Sequence, residues 1–411
     1  MIKGRVLALT SNFPRWREDS TTPFVLHLCR ELQKIDWQVD VLAPHAPGAA
    51  KRGTIEGVRV ERFQYMWPSS WQTVCYQGGA MGNLRRNKLN YLQLPFLLFF
   101  EWLSLRRKLL SGKYDILHSH WLLPQGFIGR LTASSLSIPH IITIHGGDIF
   151  GLKGGIFSRT KRFALQGAAG ITVNSSVTEK AVLKLVAKTS PVQRIPMGIK
   201  TRESPDFSGK VDELKGLYKK NGTPLLIFTG RLVEEKGVAD FLTAIKILLA
   251  DAVEVRALIV GDGQDKGDME HLAEELGIAD NVVFTGWQPS ELIPCFLAAA
   301  DIFVGPSRTA ANGWVEAQGL TFVEAMMAGT PVIASNVGGI VDSVYHEKTG
   351  LLVEERNPAQ IAQAVKRLLS NSSLRAHLQK NGREMAENNF SRRASALAFD
   401  TLFSKVMQCR N

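Results

Sequence analysis

The sequence predicts an α/β protein made of doubly wound parallel sheets, and three observations carry that expectation. Short, almost wholly apolar runs recur at residues 225–228, 257–260 and 332–334, and they read as strands buried on both faces. Each strand-like run gives way to a loop rich in Gly, Ser, Thr or His, and a segment of helical spacing commonly follows. At 411 residues the chain is long enough for two or three domains with ample cores.

Composition narrows the class. Hydrophobic content of 45% and charged content of 21% are ordinary for a globular protein, and no run of eighteen apolar residues predicts a spanning helix. The start, through Trp16, has too short an apolar region for a signal peptide and reads as a first strand. Cys29, Cys75, Cys295 and Cys409 lack paired spacing, so reduced thiols and a cytoplasmic location are expected. The net charge of +11 comes with no zinc-ligand spacing and no stacking motif, so nucleic acid is not expected as a partner. An anionic membrane surface or an anionic lipid-linked acceptor fits the charge better, and so does a plain solvated basic surface.

In chain order, residues 6–9, 24–32 and 39–43 make a strand–loop–helix–strand unit. Its first loop contains Ser20, Thr21 and Thr22, whose hydroxyls can donate to phosphate. Arg85, Arg86, Lys88, Arg106, Arg107 and Lys108 flank an aromatic-rich apolar stretch broken by Gln93, Pro95 and Glu101. That stretch reads either as a helix lying in a membrane interface or as a core helix with basic ends. A strand at 114–118 puts His118 and His120 where it emerges, with His118 expected on a backbone hydrogen bond and no third metal ligand in sight. The strand at 141–144 ends in His145-Gly146-Gly147-Asp148, whose glycines allow close backbone approach at a strand's carboxyl end, where open α/β sheets bind ligands. Asn174 ends the strand at 171–173.

The second half begins at residue 225 and leads to Gly230, Arg231, Lys236 and Gly237, two cations bracketed by glycines and suited to a diphosphate. Gly261 and Gly263 form a turn after the next strand. From Gly313 to Gly339 the chain reads GWVEAQGLTFVEAMMAGTPVIASNVGG. Glu316 and Glu324 stand seven residues apart, with Glu316 in a loop and Glu324 near the first turn of a helix. The amides of Gly319, Leu320 and Thr321 would then face an anion, and the two carboxylates would hold hydroxyl groups of a ribose and a sugar.

This glutamate spacing, followed by AMMAGTPVIAS, resembles the signature of the retaining glycosyltransferases of family 4, of the kind that build bacterial surface polysaccharides or glycolipids. The resemblance covers nearly the whole chain and is most specific at 230–237 and 316–339. It implies the GT-B fold, two Rossmann-like domains facing across a cleft, with a final helix at 394–407 returning to the first. The expected boundaries are 1–198 for the acceptor-side domain, 199–386 for the nucleotide-sugar domain and 387–411 for the returning helix. The resemblance also implies that Glu316 lies beside the donor sugar, Glu324 on the ribose, His145 facing the donor sugar with a hydroxyl in bonding reach, Asp148 contacting the acceptor or bracing the loop, His120 at the cleft edge, and Trp287 near the base. Ala317 and Gln318 depart from the family's usual Gly-Phe, as does the first loop, which lacks the usual glycines. The implied reaction transfers a sugar from a nucleotide diphosphate sugar to a hydroxyl acceptor, with no other cofactor. No Asp-x-Asp occurs, so no metal is expected. A nucleotide-sugar epimerase and a non-catalytic binding module are the rival readings.

Overall fold

The computed structural model describes residues 2–409, apart from 18, 20–22, 77–78, 113, 153, 187–190, 201–206 and 312. The chain divides into two units, Met1–Gly198 with Arg392–Asn411, and Ile199–Ser391.

The first unit is an eight-stranded sheet in the order β3-β4-β2-β1-β5-β6-β7-β8. Its strands are β1 (Gly4–Leu9), β2 (Trp37–Pro44), β3 (Arg52–Ile55), β4 (Val58–Phe63), β5 (Ile116–His120), β6 (His140–Ile144), β7 (Gly170–Val173) and β8 (Val192–Arg194). All pairings are parallel except β3 with β4, a hairpin turned by Glu56 and Gly57, both with positive φ. The central strands β5, β6 and β7 are buried along their whole length, polar residues included. The helix Arg392–Gln408 belongs to this unit, where Phe399, Leu402 and Phe403 join the core of Val25, Cys29, Leu32 and Trp37. Trp37 Nε1 donates to Asp400 Oδ1 at 2.7 Å, which fixes the helix's register.

The second unit is a six-stranded parallel sheet in the order β11-β10-β9-β12-β13-β14. Its strands are β9 (Leu225–Thr229), β10 (Arg256–Val260), β11 (Val282–Gly286), β12 (Ile302–Gly305), β13 (Val332–Ser335) and β14 (Leu351–Val353). Residue 387, expected to open the returning helix, lies inside the helix Ser372–Phe390; the break comes at Ser391.

No helix among the described residues is long and apolar enough to cross a membrane. The helix Leu94–Leu110 buries Leu97, Glu101, Leu105 and Leu109, while Phe96, Phe99 and Leu110 stay exposed. Glu101 is fully buried, and burial pushes its carboxyl up to about 8. Its Oε1 and the Gln125 Oε1 both lack a partner among the described residues; a protonated carboxyl has a hydrogen to offer, as an ionised one does not.

Candidate functional site

Strand order decides where each sheet can hold a ligand. In the second unit β9, β10 and β11 step one way while β12, β13 and β14 step the other, so the order reverses between β9 and β12. Crevices at such switch points, outside the strands' carboxyl ends, are where open α/β sheets take ligands. The first unit reverses in the same way between β1 and β5.

At the second unit's switch point, the loop after β9 carries Gly230, Arg231 and Lys236, and the loop after β12 carries Glu316. Lys236 Nζ meets Glu316 Oε2 at 2.5 Å, with both side chains mostly buried. Glu316 Oε1 accepts from the Gly319 amide at 3.2 Å. Burial alone would raise the carboxyl's pKa, but the Lys236 charge and hydrogen bond, with the Gly319 and Gln318 amides, hold it below the ordinary range. Glu316 is therefore ionised. This corrects the expectation of three open amides at the helix start, since the glutamate's own carboxylate takes that of Gly319. No acceptor for the Leu320 and Thr321 amides stands among the described residues.

Close backbone packing holds these loops. A Cβ on Gly261 would lie 1.8 Å from the Gly230 carbonyl oxygen, so only glycine lets the two loops touch. Leu232 N bonds Asp262 O at 2.9 Å, locking the Arg231 loop to the Gly261–Gly263 turn. Trp287 follows β11 and is exposed, while Arg231 is exposed on its own loop. The helix Leu320–Ala328 puts Glu324 fifth, at the start of the second turn rather than in the first, and half-buried.

Two contributors escaped the sequence reading. Arg308 donates from its backbone N to Glu235 O and from Nε to Glu234 O, both at 2.9 Å, so it holds the turn that presents Lys236. Gly338, with φ +62, lets the Glu316 carbonyl approach to 2.3 Å of where a Cβ would stand. The Gly338-Gly339 pair just beyond a buried strand was the available signal.

At the first unit's switch point the chemistry is neutral. β5 runs on to His120, so His118 and His120 lie within the strand rather than beyond it. His118 Nε2 bonds the Thr143 hydroxyl at 2.6 Å, not a backbone group, and Thr143 in turn bonds Thr172. His145 follows β6, stacks on His120 at 14° between ring planes and shares a 3.1 Å hydrogen bond with it. Burial, with the neighbouring histidines, drives His118 down to about 3; burial takes His145 to about 3, and His120 lies well below its usual value. His145 keeps part of its surface, yet Phe24 and Trp121 pack on its ring and hold it neutral. His120 Nε2 is buried without a partner among the described residues.

Asp148 takes the bracing role. Its Oδ2 accepts from Leu122 N at 2.6 Å and its Oδ1 from Gly146 N at 3.0 Å, and it is buried. Asn174 Nδ2 holds the His145 carbonyl at 3.1 Å. Ser20, Thr21 and Thr22 lie outside the described residues.

Residues 211–385 match the family described as Glycosyl transferases group 1, and residues 21–198 the Glycosyl transferase 4-like domain. The 2-deoxystreptamine glucosyltransferase of Streptomyces kanamyceticus is 30% identical over 310 residues, 71% of this chain and 76% of that protein. The GDP-mannose-dependent alpha-(1-6)-phosphatidylinositol monomannoside mannosyltransferase of Mycobacterium tuberculosis is 34% identical over 220 residues, 53% of this chain and 57% of its own. Among solved structures, Anabaena HepE in complex with UDP superposes with a TM-score of 0.74 at 17% identity, covering 98% of this chain and 100% of that one, a likeness of fold. The two switch points thus stand on a GT-B fold, and the chain belongs to the group 1 glycosyl transferases of family 4, nucleotide-sugar-dependent glycosyltransferases.

Proposed function

We propose that the chain is a retaining, metal-independent hexosyltransferase that moves a sugar from a nucleoside diphosphate sugar to a hydroxyl of a lipid-linked saccharide. The observation that carries this reading is the Lys236–Glu316 pair at the β9/β12 switch point. An ammonium has three hydrogens to donate, and Glu316 takes one, leaving others for a diphosphate. As the sugar–phosphate bond breaks, negative charge gathers on the diphosphate; Lys236, Arg231 and the Leu320 and Thr321 amides are the groups to stabilise it. The leaving phosphate assists deprotonation of the acceptor on the same face, and Glu316 positions the sugar. Glu324 holds the ribose, Gly230, Gly261 and Gly263 admit the phosphates, and Trp287 lies toward the base. The second unit is the nucleotide side. The first unit is the acceptor side, where His145 meets the donor sugar, the buried His120 and Asn174 hold His145 through hydrogen bonds, and Asp148 braces Gly146. The GDP-mannose dependence of one relative and the UDP bound to one structural neighbour support this donor class.

Product analysis tests the reading. With donor alone the sugar should be recovered unchanged; an epimerised donor would replace transfer by isomerisation. Turnover should survive a chelator, and its loss with rescue by a divalent ion would remove metal independence.

For the acceptor, the exposed Leu89, Tyr91, Leu92, Phe96 and Phe99 form an apolar face beside Trp67, which packs on Phe100, with Arg86, Lys88 and Arg107 exposed nearby. Apolar and aromatic groups edged by cations suit the interface of an anionic leaflet, worked from the cytoplasmic side. Sedimentation with vesicles containing phosphatidylglycerol should show binding that weakens with salt and in Phe96→Asp, Phe99→Asp. No binding at low salt would remove the membrane and leave the transferase untouched.

A further inference from the structure

Away from the histidines, the first unit holds a pocket of about 940 Å³ between the β3–β4 hairpin, the loop after β1 and the helix Pro23–Lys34. Arg15, Arg17, Arg30 and Arg62 all line it. Arg62 near the end of β4 is only 4% exposed, and burial opposes its charge. Its partners are neutral: Nη1 donates to the Tyr76 hydroxyl at 3.2 Å and Nη2 to the Pro14 carbonyl at 2.5 Å. Its Nε has no partner among the described residues.

A guanidinium in such a place is costly unless an anion meets it. Asp19 lies within its field, but Arg15 already grips that carboxylate through Nε at 2.7 Å and Nη2 at 3.1 Å. Glu56, the carboxylate lining the pocket, is paired with Arg30. Four described cations therefore face two described carboxylates, both engaged. Planar guanidinium forks suit phosphate and carboxylate oxygens. The pocket also exceeds a single phosphate, and Trp16, 47% exposed with the Arg15 guanidinium 4.2 Å over its ring, adds an apolar wall. That combination fits a sugar ring bearing an acid group.

We propose that this pocket binds a phosphorylated or carboxylated sugar, with the acid group at Arg62 and Arg17 and the ring against Trp16. As the acidic unit of an acceptor, the ligand would rest on the transferase reading; as a free effector it would not.

Calorimetry on the full chain with glucose 6-phosphate should give saturable binding. Glucose should not bind, and inorganic phosphate should bind at least about 10-fold more weakly. Arg17→Glu, an exposed change, should weaken glucose 6-phosphate at least 10-fold at unchanged Tm, and Arg62→Lys, which keeps the charge but loses the fork, should weaken it as much while lowering Tm through the lost Tyr76 and Pro14 bonds. Affinity for a nucleoside diphosphate should not move in either variant. A transfer assay separates the sources: glycosylation of the bound probe makes it an acceptor unit, and binding without glycosylation makes it an effector. No binding by wild type at millimolar concentration, or equal binding in Arg17→Glu, would overturn the site.

Discussion

The two switch points make an instructive pair. Both lie where strand order reverses, yet one is built of charge and the other of neutral rings. At β9/β12 a mostly buried lysine keeps its glutamate partner ionised, and glycine contacts bring the backbone close. At β1/β5 the stacked imidazoles are too enclosed to carry a proton. The same topology thus offers two kinds of crevice. The first suits a group whose charge rises during reaction, and the second suits hydroxyls that need donors and acceptors but no field. Residue content at the loop ends, rather than fold, sets the difference.

The sharpest way to break this contrast is Lys236→Ala. If its charge acts in the transition state, turnover at saturating donor falls by about 10²–10³-fold. A rise in KM alone would make it a ground-state contact. Next, Glu324→Ala should weaken nucleoside diphosphate binding by roughly 1.5–3 kcal/mol, the worth of a charged hydrogen bond, and calorimetry with unchanged affinity would refute the ribose role.

On the neutral side, kcat/KM should show no histidine inflection between about pH 5 and 8, since His145 titrates near 3. An inflection near pH 6.5 that disappears in His145→Gln would show a charged ring.

Smaller effects concern stability, and two groups in the first unit act with opposite signs. His118 has a depressed folded pKa, so the unfolded chain binds more protons between about 6.5 and about 3, and stability falls on acidification through that window. Glu101 is raised to about 8, so the folded chain holds the extra proton, and stability falls as pH rises from about 4.5 to about 8. Hydrogen exchange in β5 should therefore show better protection at pH 8 in Glu101→Gln than in wild type, a gain that shrinks toward pH 4.5. A gain equal at both pH values would mean that Glu101 does not titrate in that range.

Much of the charged crevice was legible because its signals are local. Glu316, Glu324, Gly230 and Lys236 announce themselves by spacing and by glycines at strand ends. What escaped was partnership across sequence distance. That the Gly319 amide is closed by Glu316, or that Arg308 supports the turn before Lys236, depends on which loops the sheet order brings together. The neutral crevice was less legible for another reason. Histidines inside a strand look like those just past its end, and the extra two residues of β5 come from pairing with β6. Arg62 went unread: it lies on an edge hairpin among charged neighbours, and only its tertiary cover buries it.

The helix Arg392–Gln408 has a consequence for synthesis on the ribosome. Phe399 and Phe403 lie against His118, with ring centroids 5.1 and 5.5 Å away, and fill the core beside Trp37. They leave the ribosome only after the entire second unit has been made, on the order of tens of seconds later at roughly 5–20 residues per second. Through that interval residues 2–198 present an uncovered apolar face, and the enclosure that keeps His118 neutral is incomplete. The unit translated first is therefore the last to mature, and nascent chains arrested before Phe399 should be the ones a chaperone holds.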